Sequence, residues 1–365
     1  MVAAGPAAPV ILDPAITVAP GALDTLGARA EAAAPAHRYV VITDDHVGPL
    51  YAARVLASFG PRRTASVLLM PHGEPAKTRE TWSRLTDEML ALGCGRDTTV
   101  IALGGGVAGD MAGFVAATYM RGVPVIQVPT TLLAMIDAAI GGKTAVDTPA
   151  GKNLVGAFHP PAAVVVDPAV LGTLPPRELR AGLAEAIKHG VIADAAYFAR
   201  VESDLPALLE PGGAASPEME ALITGSIAIK SAIVAADARE QGRRKILNFG
   251  HTIGHAVEAA SWFSMLHGEA VAIGMAIECR LAELSGAAVC GITGQVCNAL
   301  DRAGLPTIPP AAIEGPALVR HTHSDKKVRG GAVEYALPHA IGEMAGAGTG
   351  WTVALPDAFV REALA

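Results

Sequence analysis

The sequence predicts an α/β N-terminal nucleotide-binding domain, Rossmann-like but atypical, over residues 1–172, and a mostly α-helical C-terminal metal-binding domain over 173–365. Three observations carry that reading. Short β-branched runs alternate with helical stretches through about the first 170 residues, as a parallel sheet with crossover helices requires. A glycine-rich turn stands where one such run passes into a helix. After Leu174 helical periodicity takes over, and three histidines fall within 17 residues, at 251, 255 and 267.

RYVVITD at 38–44 reads as a buried strand ending in acidic turn residues, and 66–70 and 98–103 read the same way. Further short runs occupy 123–128 and 163–167. The segment TLPPRE marks the domain boundary, beyond which 177–202, 218–236, 252–262, 269–285 and 293–303 carry helical spacing. Only 333–337 then looks strand-like. The Ala- and Pro-rich start reads as a ragged end and 206–217 as a surface loop.

Of 365 residues, 28 are Lys or Arg and 35 are Asp or Glu, and a net charge of -7 argues against a dedicated nucleic-acid binder. With 51% hydrophobic and 17% charged residues the chain can bury a large core, which excludes disorder as its main state. The mean hydropathy is positive, +0.38. Yet a notable charge-free stretch, 122–136, is 15 residues long and holds Pro124 and Pro129, so no segment is expected to span a bilayer. The first basic residue is Arg29 and four prolines interrupt the apolar start, so no secretory signal is expected and the protein reads as cytoplasmic. Cys94, Cys279, Cys290 and Cys297 show no CxxC spacing, so neither a zinc knuckle nor a redox pair is indicated.

GGGVAGD at 104–110 fits G-x-G-x-x-G in a strand, turn, helix context, where glycines admit a pyrophosphate and the helix N-terminus offers N–H groups. The ordinary pattern places a ribose-binding acid about 20 residues downstream. Here no acid lies between Asp110 and Asp137, and the candidate is upstream, Asp44. Gly141-Gly142-Lys143-Thr144 resembles the end of a phosphate-binding loop, but that motif needs glycine where Asp137 stands.

His251 and His255 are four apart, which puts them on one helix face, and His267 follows closely. Catalytic zinc commonly takes two histidines and a carboxylate. Spacing leaves open which histidines would bind. Glu185 in AGLAEAIKHG is the candidate carboxylate, the bland alternative being an intrahelical pair with Lys188. The cations Arg121, Lys143, Lys152, Lys188, Lys230, Arg244, Lys326 and Lys327 sit in apolar or glycine-rich surroundings. Such a set suits a substrate with both phosphate and carboxylate groups.

These stretches together resemble the 3-dehydroquinate synthase family of sugar-phosphate cyclases. The likeness is carried by GGGVAGDMAGFVAATYMRGV, QVPTTLLAMIDAAIGGKTAVDTPAGKNLVGAFH, TLPPRELRAGLAEAIKHG, LNFGHTIGHAVE, LHGEAVAIGM and SDKK, in family order, with weaker agreement at VITDDHV and HGEPAK. The resemblance implies a homodimer with NAD in the N-terminal domain and a divalent metal, zinc first and cobalt as the alternative, in the helical one. It implies Glu185, His251 and His267 as metal ligands, leaving His255 as a catalytic group with Lys143, Asp137, Lys188 and Asn248. It implies NAD contacts at Asp44, Glu74, Lys77, Gly105, Gly106, Val107, Asp110, Thr130, Thr131, Lys152, Thr173, Leu174 and Glu178. Substrate would be bound by Asn153, Lys230, Arg244 and Lys326, with Arg121 reaching across from the other subunit.

The implied reaction takes 3-deoxy-D-arabino-heptulosonate 7-phosphate to 3-dehydroquinate and phosphate, by oxidation, β-elimination, re-reduction and intramolecular aldol closure in the shikimate pathway. Ala238, Pro160, Ala138 and Ala139 depart from the family's usual residues without removing a catalytic group. The rivals are sister cyclases such as aminodehydroquinate synthase or 2-epi-5-epi-valiolone synthase, a metal-dependent dehydrogenase of the glycerol type, and a non-catalytic NAD-binding regulator. Substrates without a carboxylate would have no use for Lys230 and Arg244.

Overall fold

The computed structural model describes residues 15–61, 63–262, 264–323, 328–329 and 332–364. The chain divides into two compact units, the first ending at Val170 and the second starting at Leu171.

The first unit is built on a six-stranded sheet. Its strands are β1 (Ala15–Val18), β2 (Arg38–Asp44), β3 (Thr64–Met70), β4 (Thr98–Gly104) and β5 (Val125–Pro129). A hairpin of β6 (Lys143–Thr148) and β7 (Gly151–Phe158) precedes the sixth sheet strand, β8 (Ala163–Val166). The sheet order is β1-β8-β5-β4-β2-β3, and every pairing in it is parallel. All seven residues of β4 are buried, as a central strand covered on both faces must be. The crossover helices are α1 (Leu26–Ala33), α2 (Gly48–Ser58), α3 (Arg79–Ala91) and α4 (Gly106–Thr118). From β2 the chain moves outward to β3, then crosses back to lay β4 on the other side of β2. Such a reversal of strand order opens a crevice beyond the carboxyl ends of the two strands.

The five expected runs are β2, β3, β4, β5 and β8. Two features went unread. The start of the chain is no ragged end from Ala15 onward, because β1 pairs in register with β8. The antiparallel hairpin β6–β7 was not foreseen either, since β7 alternates poorly and leaves Leu154, Val155 and Phe158 exposed.

The second unit consists mainly of α5 (Pro176–Ala193), α6 (Ala195–Leu209), α7 (Pro217–Ala236), α8 (His251–Ala260), α9 (His267–Leu284) and α10 (Ile292–Arg302). Then follow α11 (Gly315–Thr322), short strands β9 (Val328–Arg329), β10 (Ala332–Tyr335), β11 (Pro338–Ala340), β12 (Glu343–Met344) and β13 (Val353–Leu355), and α12 (Asp357–Leu364). The stretch expected as one helix from 177 to 202 breaks at Asp194, whose carboxylate accepts the Tyr197 N–H at 2.9 Å and starts α6. That helix continues past Pro206, so the surface loop is shorter than expected. The expectation that no segment is long and apolar enough for a bilayer is corrected by α7, with a mean hydropathy of 1.5. Counting charge-free runs hid it, because Lys230 interrupts the run. It packs on α5 and α6 and buries Ser226, Lys230 and Ser231.

Candidate active site

In the first unit the glycine turn leaves β4 at its carboxyl end. Gly104 has φ +154°, and a Cβ there would lie 2.6 Å from the Ala108 Cβ. Gly105 and Gly106 open α4 with no side-chain cap. Its first N–H groups thus keep the anion-binding character of a helix N-terminus. The neighbouring strand ends supply the surroundings. Asp44 ends β2, with Oδ2 3.5 Å from where a Gly104 Cβ would be. Its Oδ1 accepts the N–H groups of His46 and Val47 at 2.9 and 2.8 Å. After β5, the Thr130 N–H donates to the Gly104 carbonyl at 2.9 Å, and the Thr131 hydroxyl accepts the Ala134 N–H at 3.1 Å. That second bond leads into a π-helical turn, Ala134–Ala138, which carries Asp137.

A buried charge network lies beside the turn. Lys77 is 3% exposed, and its Nζ donates to Asp110 Oδ2 and to Asn153 Oδ1, each at 2.6 Å. Burial works against its charge, but Asp110 and Glu74 outweigh that and raise its pKa above the ordinary lysine value. Glu74 Oε1 lies 3.8 Å from Lys77 and 3.6 Å from Lys152. Asp147 accepts the Asn153 N–H at 2.9 Å, which helps hold Asn153 at φ +55°. The structure thus brings together Glu74, Lys77, Asp110, Lys152 and Asn153. Asn153, expected to touch substrate, shares one lysine with Asp110, expected to touch NAD.

In the second unit three helices converge on one carboxylate. Glu185, in the middle of α5, is fully buried. His251 is the first residue of α8 and His267 the first of α9, and each Nε2 lies 3.6 Å from Glu185 Oε1. One donor atom from each of the three falls within 4.8 Å of the others. The second ring nitrogen of each histidine is fixed. His251 Nδ1 lies 3.0 Å from the Phe249 carbonyl, an acceptor, so Nδ1 carries the proton and the Nε2 lone pair faces Glu185. His267 Nδ1 faces the Glu258 carboxylate at 3.4 Å. Burial pushes the His251 pKa well below the ordinary histidine value against the pull of Glu185. For His267, burial is outweighed by Glu185 and Glu258, which lift it to about 10. Lys188 pairs with Glu185 one turn along α5, so the ion pair weighed against a ligand role is present alongside the histidines. His255 is exposed, its ring 5.5 Å from that of His251 and 6.2 Å from that of His267.

Close backbone approach sets this geometry. A Cβ on Gly268 would come 1.9 Å from the Ala181 carbonyl oxygen, one turn before Glu185, and one on Gly274 would come 1.9 Å from the Gly250 carbonyl oxygen. Only glycine lets α9 lie this near α5 and the start of α8. Arg177 and Glu269 clamp the N-termini of α5 and α9 through two 2.7 Å bonds, and Glu269 also accepts the Leu266 N–H at 3.0 Å.

Profiles of the N-terminal and C-terminal parts of 3-dehydroquinate synthase match residues 67–181 and 182–328. The chain belongs to the 3-dehydroquinate synthase family. The 3-dehydroquinate synthase of Symbiobacterium thermophilum is 45% identical over 333 residues, covering 90% of this chain and 92% of that one. A solved 2-deoxy-scyllo-inosose synthase, complexed with carbaglucose-6-phosphate, NAD+ and Co2+, superposes with TM-score 0.87 at 28% identity over 96% of this chain and 95% of that one. The 2-epi-5-epi-valiolone synthase ValA of Streptomyces hygroscopicus subsp. jinggangensis 5008, with NAD+ and Zn2+ bound, gives TM-score 0.83 at 28% identity, covering 100% and 98%. The two-part fold expected from the sequence is the fold of this family.

The other residues expected from the family resemblance fall as follows. Arg244 is 1% exposed; its Nη1 donates to the Ala238 carbonyl at 2.7 Å and its N–H to Asp237 at 3.1 Å. Only the main chain of Ala238 is used there, so alanine costs that contact nothing. Asn248 Nδ2 donates to Glu240 at 2.7 Å, and Lys230 is 6% exposed on α7. Arg121 is exposed at φ +68° between Met120 at +51° and Gly122 at +117°. Lys143 starts β6, Val107 packs against the core below the glycine turn, Thr173 and Leu174 precede α5, and Glu178 lies in its first turn. Lys326 lies outside the described residues.

Sequence reasoning missed Glu258 and Glu278. Glu278 on α9 is fully buried and accepts the N–H groups of Gly250 and Ile253 at 2.7 and 3.0 Å, capping α8 where His251 begins. A cap from another helix leaves no local sequence signal.

Proposed function

We propose that this chain is the enzyme its family name describes, converting 3-deoxy-D-arabino-heptulosonate 7-phosphate to 3-dehydroquinate and inorganic phosphate with NAD and a divalent metal, zinc by preference. The observation that carries this reading is the Glu185–His251–His267 set in the same helical unit as two buried cations, Lys230 and Arg244. A carboxylate-bearing substrate gives those cations their use.

The residues suit both groups. Two imidazoles with fixed Nδ1 partners and one carboxylate form the donor set of a catalytic zinc site, so Glu185, His251 and His267 would hold the metal. The uncapped start of α4 on Gly105–Gly106, with Asp44, Thr130, Thr131 and the Lys77 network near it, suits a dinucleotide, completed by Thr173, Leu174 and Glu178. When bound, the dinucleotide supplies a hydride acceptor restored within each turnover, and the cation supplies a Lewis acid. Lys230 and Arg244 hold the carboxylate. Lys143, Asn153 and Lys326 bind the phosphate. His255 moves the proton whose loss allows phosphate to leave, while Asp137, Lys188 and Asn248 orient the hydroxyls. Arg121, on its exposed turn, serves the partner subunit of a homodimer. A cytoplasmic setting agrees with the buried free thiols Cys94 and Cys279.

The test is phosphate release by zinc-loaded protein with catalytic NAD, offered the heptulosonate phosphate, glucose 6-phosphate and sedoheptulose 7-phosphate in parallel. Release from the first alone, without NADH build-up, is expected. Release from either of the others, or accumulation of NADH without phosphate, overturns the substrate assignment.

A further inference from the structure

Gly250 stands at the N-cap of α8 with φ +77° and has no side chain with which to cap it. The acceptor comes from α9. Glu278, fully buried about three turns beyond His267, takes the Gly250 N–H on Oε2 at 2.7 Å and the Ile253 N–H on Oε1 at 3.0 Å. The Gly250 N–H belongs to the same planar peptide unit as the Phe249 carbonyl. That carbonyl accepts the His251 Nδ1 proton at 3.0 Å. The Glu278 carboxylate and the His251 imidazole therefore grip opposite edges of one rigid plane. Close packing keeps the plane against α9, since a Cβ on Gly250 would lie 2.5 Å from the Met275 Cγ and one on Gly274 would lie 1.9 Å from the Gly250 carbonyl oxygen.

We propose that Glu278 is a positioning residue for the metal ligand His251, acting through the Phe249–Gly250 peptide. The inference rests on His251 being a ligand, as in the function proposed above. A carboxylate on the N–H side of an amide polarises it and strengthens its carbonyl as an acceptor. The carbonyl in turn fixes the Nδ1 proton and the ring plane, so that Nε2 faces Glu185 Oε1 at 3.6 Å. Without the carboxylate, a buried N–H loses its acceptor and the peptide plane can turn to find another. The imidazole bonded to its other edge turns with it. An ordinary cap would affect only the stability of α8. This one also sets where a donor atom points, and it does so from the helix whose first residue is His267, so α9 supplies one ligand and holds a second.

The experiment is a zinc titration of metal-free protein in competition with a chromophoric chelator, paired with the visible absorption bands of the cobalt-loaded protein, which report ligand geometry. Glu278→Gln keeps the size of the side chain but can accept only one of the two N–H groups; its zinc dissociation constant should rise about 10-fold and its cobalt bands should shift. Ser216→Ala is the control, since it removes an ordinary cap on α7, where the Ser216 hydroxyl accepts the Met219 N–H at 3.1 Å. It should keep wild-type zinc affinity and wild-type bands. Unchanged affinity and bands in Glu278→Gln, or equal losses in Ser216→Ala, overturn the role. His251→Ala separates this inference from the reading beneath it: it should weaken zinc far more than Glu278→Gln does, and if it binds zinc as wild type does, His251 is no ligand and both fall. A crystal structure of zinc-loaded wild type, which needs no variant to fold, overturns the inference if Glu278 no longer accepts the Gly250 N–H or His251 Nδ1 no longer donates to Phe249.

Discussion

Gly268→Ala tests whether backbone approach builds the geometry of the proposed metal ligands Glu185, His251 and His267. The new Cβ would meet the Ala181 oxygen at 1.9 Å, its carbonyl carbon at 2.5 Å and its Cα at 2.6 Å, all backbone atoms. Restoring even a 3.0 Å contact moves the start of α9 about 1 Å off α5, because a packed interior has no slack to absorb it. Glu185 lies one turn beyond Ala181, and His267 immediately precedes Gly268. The 3.6 Å His267–Glu185 separation therefore opens, while a bound zinc tolerates only about 0.2 Å in its bonds. The expected result is a zinc dissociation constant raised about 10–100-fold, the scale seen when groups supporting metal ligands are lost. Urea unfolding of the metal-free variant should lose about 1–3 kcal/mol from overpacking. Gly213→Ala is the control, since its Cβ would meet the Ala207 oxygen at 2.3 Å, far along the chain from the ligands. It should lose stability and keep its zinc affinity. If Gly268→Ala loses comparable stability yet binds zinc as wild type does, helix approach is not what places His267.

Arg244→Lys keeps the charge and loses the planar fork, so the Michaelis constant for the heptulosonate phosphate should rise about 10–100-fold, matching about 1.5–3 kcal/mol for a charged hydrogen bond; an unchanged constant removes Arg244 from the carboxylate. Asp237 is held below the ordinary aspartate value: burial opposes this, but N–H groups of Gly242, Gln241 and Arg244 prevail. A lowered folded-state pKa stabilises above the unfolded value and is lost as pH falls through the folded one. The stability gap between wild type and Asp237→Asn in urea should thus be full above pH 3.8 and close below it; a gap that persists in acid refutes the role. Glu278→Gln turns one acceptor into a donor facing an N–H, and metal-free stability should fall by about 1–3 kcal/mol; an unchanged urea midpoint would show that α8 does not depend on this cap.

How much could be read from the chain depends on whether a signal is local. Buried β2 and β4 announce themselves by unbroken β-branched runs, and the histidine set by its crowding within 17 residues. The four residues of β1 are too few to show a period, and β7 turns apolar side chains outward, against the usual pattern. Lys77 finds Asp110 33 residues away and Asn153 76 residues away, and no spacing rule joins such partners. Family resemblance named all three residues but assigned Asn153 to a different ligand. The glycine approaches and the Glu278 cap are tertiary facts, visible only once helices are packed.

The position of Asp44 ahead of the glycine turn follows from strand order. A carboxylate can stand beside the turn only at the end of a strand flanking β4, and those strands are β5 and β2. In the ordinary dinucleotide fold the downstream neighbour brings the acid. Here β5 ends in Pro129 and runs into Thr130 and Thr131, whose groups are bonded to Gly104 and Ala134. Only β2 remains, and because the chain visits β3 before crossing back to β4, the residue at its end precedes the glycines by a full strand–helix unit. The missing downstream acid is therefore a consequence of the crossover between β3 and β4, and the crevice keeps its carboxylate.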